Sequence, residues 1–239
     1  MKVYGMSLLL FLLLLLPVGS VGAASGTGLA IVDGERFVYE IILPDGEKVQ
    51  SECRYWRKES QGRVLFGYTY NDPVGKWDVL TNAQGYPVEV SHEFYGNPIK
   101  FTFGKNKVHM SGFWNGENIS EEREFKGLIT PEIAMILRNL DLGSKDRFVL
   151  QVIQKDEYPE LVTYTMYFQV KEDTTITVKA GTFNCKRVVF SLTDWRGLFY
   201  KSNQYITNDE YRRIIKMENF PRGGETELKD YEVPEHSRQ

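Results

Sequence analysis

The chain has little of what most enzyme chemistry uses. Its 239 residues hold two cysteines, Cys53 and Cys185, and three histidines, His92, His109 and His236. Two cysteines exclude a disulfide-dense scaffold, and without a C-x-x-C pair thiol exchange is not an expected function. None of the histidines has a second histidine at i+2 or i+4, so His92 and His109 are expected as satisfied core or rim imidazoles. A metal site would have to borrow Glu89 or Glu93. There is no Gly-x-Gly-x-x-Gly opening a helix, no Walker loop, no His-Glu-x-x-His and no Gly-x-Ser-x-Gly elbow. Neither sign of charge dominates, with 29 Lys and Arg against 32 Asp and Glu. That balance argues against a nucleic-acid partner. No catalytic residue, metal ligand or cofactor is therefore expected.

The one long apolar run stands at the start. Lys2 precedes Leu8 to Leu16, Pro17 and Gly19 end the run, and Val21-Gly22-Ala23 offers small residues for cleavage, the pattern of a secretory leader over residues 1–23. Its dense part is shorter than the roughly 20 residues of a membrane span, so cleavage after Ala23 is expected over an uncleaved anchor. The mature chain is then exported, with a periplasmic location and no transmembrane span. No cysteine lies near the cleavage point, so no lipid-anchored end is expected. In an oxidising compartment Cys53 and Cys185 have two readings. One is a single disulfide closing a loop of about 133 residues, worth about 4 to 5 kcal/mol in the chain-entropy model. The other is two separate buried thiols on inward strand faces.

Alternation dominates the remainder. Val162, Tyr164, Met166, Phe168 and Val170 oppose Thr163, Thr165, Tyr167, Gln169 and Lys171, and the same period of two runs through Phe37 to Leu43, Val64 to Tyr70, Tyr86 to Phe94 and Ile99 to Phe103. Short punctuation between these runs leaves no room for crossover helices, so the strands are antiparallel neighbours. Asn115-Gly116 supplies the two positive-φ residues of a type I′ hairpin, Pro44-Asp45-Gly46 makes another turn, and Asn97-Pro98 and Lys105-Asn106-Lys107 flank the Ile99 strand. The fold expected is mainly β: a long antiparallel meander forming a curved, half-closed, barrel-like sheet.

One short helix interrupts it. Thr130 can cap, Pro131 suits the first helical position, Gly143 follows Leu142, and Ile133, Ile136, Leu137 and Leu140 share a face. It is expected as a plug or lid between two groups of strands, within a single β-rich domain over residues 24–232 and a frayed tail over 233–239. Arg54-Tyr55-Trp56-Arg57-Lys58 mixes basic and aromatic residues, but strand alternation accounts for it better than nucleic-acid binding.

The stretch Thr177-Val178-Lys179-Ala180-Gly181-Thr182-Phe183-Asn184-Cys185-Lys186-Arg187-Val188 reads as strand, glycine turn, strand. Trp195, Phe199-Tyr200, Tyr211-Arg212-Arg213-Ile214 and Glu227-Leu228-Lys229-Asp230-Tyr231 follow it. With the leader and the strand-rich first half, this order resembles the bacterial exported proteins of domain-of-unknown-function family 3108, most sharply from Asp173 to Tyr231. Family members often carry Gly-x-Glu ahead of the valines, where this chain has Glu172-Asp173-Thr174. The resemblance implies the curved antiparallel sheets of lipoprotein carriers and related envelope proteins, and it implies no activity.

Three functions compete on this sequence. In the first, a binding or carrier module holds an apolar, lipid-like ligand against Phe66, Tyr68, Tyr164, Met166 and Phe168, with the helix as cover. The second is a structural or assembly component of the envelope that holds a protein partner by exposed sheet edges or aromatic patches. A hydrolase on envelope polymers is the third, and it needs a cluster of ionisable groups that no local motif supplies.

Overall fold

The computed structural model describes residues 31–234, apart from 61, 73–74, 128, 131–132, 140, 144–146, 154–159 and 221–223. The leader expected over 1–23, and His236 with most of the tail, lie outside the described residues.

Fifteen strands form one sheet. The first eight run β1 (Arg36–Ile42), β2 (Lys48–Ser60), β3 (Arg63–Asp72), β4 (Gly75–Thr81), β5 (Pro87–Phe94), β6 (Asn97–Phe103), β7 (Lys107–Trp114) and β8 (Glu117–Glu124). The two-residue β9 (Ile129–Thr130) leads into helix α1 (Ala134–Arg138) and then β10 (Arg147–Ile153). After these come β11 (Thr163–Val178), β12 (Gly181–Leu192), a 3-10 turn (Trp195–Leu198), β13 (Lys201–Thr207), β14 (Ile214–Phe220) and β15 (Glu225–Glu232). The strands follow sequence order outward from β1, which pairs with β2 on one side and β15 on the other, so both groups of strands belong to one meander. All pairings are antiparallel except β9 with β10, a short parallel contact at the sheet edge.

The sheet is open but curled. Among the described residues no ladder joins β8 to β9, yet Glu121 on β8 accepts a 2.6 Å hydrogen bond from the backbone N–H of Leu161, just ahead of β11. Leu161 is fully buried in a cluster that also takes Val108 and Met110 from β7, Cys185 from β12 and Leu228 from β15. Strands from both halves therefore share one interior. The outer edge strand β8 carries Glu121, Glu122, Arg123 and Glu124, charges that discourage pairing with another chain.

Local chemistry explains the turns. Asn115 and Gly116 have φ of 49° and 92°, as the type I′ hairpin requires. The β5–β6 turn falls on Tyr95 and Gly96, both at positive φ, and Asn97-Pro98 instead opens β6. The helix is five residues long, shorter than the stretch from Thr130 to Leu142 that the sequence suggests. Thr130 is engaged opposite Val152 as strand, so it does not cap, and Ile133 occupies the cap position without a side-chain bond. Pro131, Glu132 and Leu140 lie outside the described residues.

Connections in a meander alternate between two ends of the sheet. α1 sits at the end holding the β4–β5 and β13–β14 connections, since its residues bond to the carbonyls of Gln84 and Tyr211. This is the plug end. The β5–β6, β7–β8 and β12–β13 connections stand at the far end.

Candidate functional site

The plug end has two parts, a helix driven into the interior and a cleft beside it. Met135, Ile136, Leu137 and Arg138 are all buried. Met135 joins the larger hydrophobic cluster with Phe37 and Tyr55, while Ile136 and Leu137 join a second one with Met166 and Phe168. A helix of about one turn is not stable by itself. Its place is set by packing against both clusters and by polar contacts at its C-terminal end.

Those contacts converge on Arg138. Its guanidinium lies 2.6 Å from Glu35 Oε1, with both side chains buried. Its Nε donates to the Tyr211 carbonyl at 3.1 Å, and its plane lies 4.4 Å over the Tyr55 ring and 5.9 Å from that of Phe37. Burial opposes the charge on Arg138, but the attraction of Tyr55 and Glu35 outweighs it, so the guanidinium is held more firmly protonated than usual. The Tyr39 and Tyr55 phenols are pushed well above their ordinary value, chiefly by burial. Both stay neutral, and Tyr39 donates to the Ile214 carbonyl at 3.1 Å. Next to Arg138, the side-chain amide of Asn139 donates to the Gln84 carbonyl. A buried ion pair adds little net stability but enforces one arrangement, because losing either partner strands the other in a dry interior.

The cleft holds about 250 Å³ and is lined by Tyr86, Pro87, Phe103, Phe125 and Ile129, with the exposed Lys105 among its walls. Two of its walls neighbour the plug or its anchorage in sequence. Tyr86 ends the turn whose Gln84 carbonyl anchors Asn139, and Ile129 precedes α1 by five residues. The volume lies just under that of small-molecule sites, enough for a ring or a short stretch of acyl chain. Elsewhere in the interior, Ser202 and Gln204 face inward side by side on β13, buried, with Ser202 Oγ and Gln204 Oε1 unmatched by any hydrogen-bond partner among the described residues.

The five residues expected to line a groove are divided. Phe66 and Tyr68 pack in the larger cluster, and Met166 and Phe168 in the second. Tyr164 is half-buried at the far end, with the Arg196 guanidinium 4.5 Å over its ring. None of the five lines the cleft. Alternation tells which face turns inward, not which part of that face is left open. Glu35 and Arg138 escaped the sequence reading altogether, because a charge buried by its partner leaves no periodic trace.

Cys53 and Cys185 are two separate buried thiols, not a bridge, and burial pushes the Cys185 thiol up to about 11. His92 is buried and stacked on Trp77 at 3.4 Å, while the exposed His109 faces the Ser120 hydroxyl at 3.1 Å. Among the described residues no cluster of three His, Cys, Asp or Glu side chains could hold a metal. The basic-aromatic run is dispersed: Arg54 pairs with Glu52, Arg57 pairs with Glu59, and Tyr55 lies under Arg138. No described helix is long and apolar enough to cross a membrane.

Comparison with family models and with curated proteins finds no match. Among solved structures, the chain is similar to a β-barrel-like protein of domain-of-unknown-function family DUF1849 from Brucella abortus. They share 10% identity over 85% of this chain and 99% of that one, with a TM-score of 0.55. A protein from Bacteroides fragilis assigned as exported, with a YmcC-like fold, gives 14% identity, 87% and 99% coverage, and a TM-score of 0.42. One from Parabacteroides distasonis assigned as a lipoprotein gives 14%, 84% and 95%, and 0.34. Only the first superposes closely enough to bear on the fold, and it shows a β-barrel-like sheet. The curved antiparallel sheet expected from the sequence is therefore the one found, and a protein of a family of unknown function shares it; no match supports the number 3108.

Proposed function

We propose that this chain is an exported protein of the bacterial envelope that binds an apolar, lipid-like ligand at the plug end, with α1 as a displaceable stopper. The observation that carries the reading is the cleft's position beside the anchorage of a helix of about one turn, which is fixed by side-chain bonds from Arg138 and Asn139. Displacing α1 would join the cleft to both hydrophobic clusters and to the phenylalanine, tyrosine and methionine side chains within them. An acyl chain or other apolar body would replace the packing of Met135, Ile136 and Leu137, so the cost of opening is offset by apolar area reburied. Phe66, Tyr68, Met166 and Phe168 would line the enlarged chamber, and Tyr164 its far end.

Native mass spectrometry and lipid extraction of protein purified from the envelope of its host test the reading. A bound acyl species, reduced in a variant with Phe103→Trp that fills the cleft, is the expected result. Consistently ligand-free protein that also takes up no fluorescent apolar probe would defeat it.

A further inference from the structure

Among the described residues, the large apolar side chains that stand in solvent are all at the far end. Tyr95 sits in the β5–β6 turn and Phe113 near the end of β7, while Trp195, Leu198 and Phe199 crowd the β12–β13 connection at 72%, 76% and 64% exposure. Three such residues within five positions form an apolar point that a water-facing loop has no reason to keep.

The loop is built to hold them out. Asp194 caps the 3-10 turn by accepting from the Arg196 N–H at 2.9 Å and pairs with the Arg196 guanidinium. That guanidinium also lies over Tyr164. The Ser191 hydroxyl faces the carbonyls of Gly197 at 2.9 Å and Tyr200 at 2.6 Å. A side chain at Gly197 would run into the Leu192 carbonyl, so only glycine lets the turn lie this close to β12.

Behind the loop, on the outward face of β11, β12 and β13, lies a polar cleft of about 390 Å³ walled by Tyr167, Gln169, Lys171, Arg187, Lys201 and Asn203. It opens at Lys201, two residues after Phe199. Lys201 is exposed and in no ion pair among the described residues, whereas Arg187 is paired with Glu172 at 2.8 Å and the exposed Lys171 also attracts the Glu172 carboxylate. In the ladders Lys201 is level with Ser191 and Tyr167, whereas Lys171 stands four residues further along β11, about 13 Å deeper from the loop and beyond a phospholipid headgroup layer of about 5 to 7 Å.

We infer that the far end docks on the surface of a bilayer containing anionic phospholipid. Trp195, Leu198 and Phe199 enter the acyl boundary, and Lys201, two residues after Phe199, meets lipid phosphates. Aromatic and leucine side chains at the boundary with cations just above them are the combination that suits this interface. The inference rests on the outer surface alone and is independent of ligand binding at the plug end.

The test is co-sedimentation of the full mature chain with vesicles of phosphatidylethanolamine and phosphatidylglycerol, against vesicles of phosphatidylcholine only. Binding to the anionic vesicles is expected, with a blue shift in tryptophan emission that Trp195→Phe abolishes. The triple variant Trp195→Ser, Leu198→Ser, Phe199→Ser should lower partitioning by about tenfold or more. Lys201→Gln should weaken binding to anionic vesicles by roughly fivefold and leave the phosphatidylcholine result unchanged, and Lys171→Gln should have a smaller effect. These side chains are exposed, so unchanged circular dichroism is expected in every variant. Absence of vesicle binding, a triple variant that binds as the parent does, or a photo-crosslinker at Leu198 that captures a protein and no lipid in cells would each overturn the inference.

Discussion

The Arg138 guanidinium lies 2.6 Å from the Glu35 carboxylate, in an interior that neither side chain leaves. Arg138→Met alone is expected to lower the unfolding free energy by about 3 to 5 kcal/mol, because Glu35 would be left charged and dry. Glu35→Leu combined with Arg138→Met should recover most of that loss. Urea unfolding of parent, singles and double as one thermodynamic cycle checks this, and a double variant as unstable as the singles would contradict it.

The plug reading predicts a kinetic effect from Asn139. Its side-chain amide ties the end of α1 to the Gln84 carbonyl beside the apolar cleft. Asn139→Ala should cost about 1 kcal/mol of stability and speed the uptake of a fluorescent apolar probe, followed by stopped flow. Uptake at the parental rate in both Asn139→Ala and Arg138→Met would show that α1 does not gate the interior.

Thiol reactivity gives a third expectation. With both cysteines buried and the Cys185 thiol pushed up to about 11, the thiolate is scarce near neutrality. At about pH 8 the folded protein should react slowly with a disulfide reagent and release two equivalents only in denaturant. Its mobility on gels should not change on reduction. Fewer than two thiols titrated in denaturant would indicate a bridge.

The dependence on pH follows from β13, β14 and β15. Burial works against the Glu218 carboxylate, yet hydrogen bonds from Asn203 and Tyr205 and the nearby Lys216 hold it below its ordinary 4.5. Lys216 is raised, since Glu225 and Glu227, each at 2.9 Å, outweigh its burial. The lowered carboxyl group stabilises the fold above about pH 4.5 and loses that effect as pH falls through its folded value; the raised ammonium stabilises below about 10.5 and loses it as pH rises. Stability should therefore be flat from about pH 6 to 9 and fall on either side. Glu218→Gln should give a shallower acid limb, read from urea midpoints against pH.

Gly67 supplies a packing test. It stands opposite Trp56 in the β2–β3 ladder, and a side chain there would overlap the indole ring. Gly67→Ala is expected to destabilise by about 1 to 3 kcal/mol, and Trp56→Leu in the same chain should relieve much of that loss. A Gly67→Ala variant as stable as the parent in urea would contradict this contact.

Much of the fold is legible where the physics is local. The alternation through Thr163 to Lys171 is the inward and outward pattern of β11, and Asn115-Gly116 turns because Asn and Gly tolerate positive φ. The Tyr95-Gly96 turn is hidden because a tyrosine at φ of 48° carries no turn signal. Pairing of β1 with β15 joins residues almost the whole chain apart, and no local pattern specifies it. The site is less legible than the fold. Periodicity finds Phe66, Tyr68, Met166 and Phe168 on the inward face, but which inward residues border open space depends on where α1 lands. Its anchor, Arg138, sits in the helix without a polar stripe to mark it.

The bond from the Leu161 amide to Glu121 is a fastening of a different kind from the ladders beside it. Elsewhere along the meander, parting two strands means breaking a row of backbone bonds together. At this seam the described residues are held by the Glu121 carboxylate and the burial of Leu161 in the shared interior. If the proposed ligand enters at the plug end, a seam held by side chains is where the curled sheet would yield to admit it.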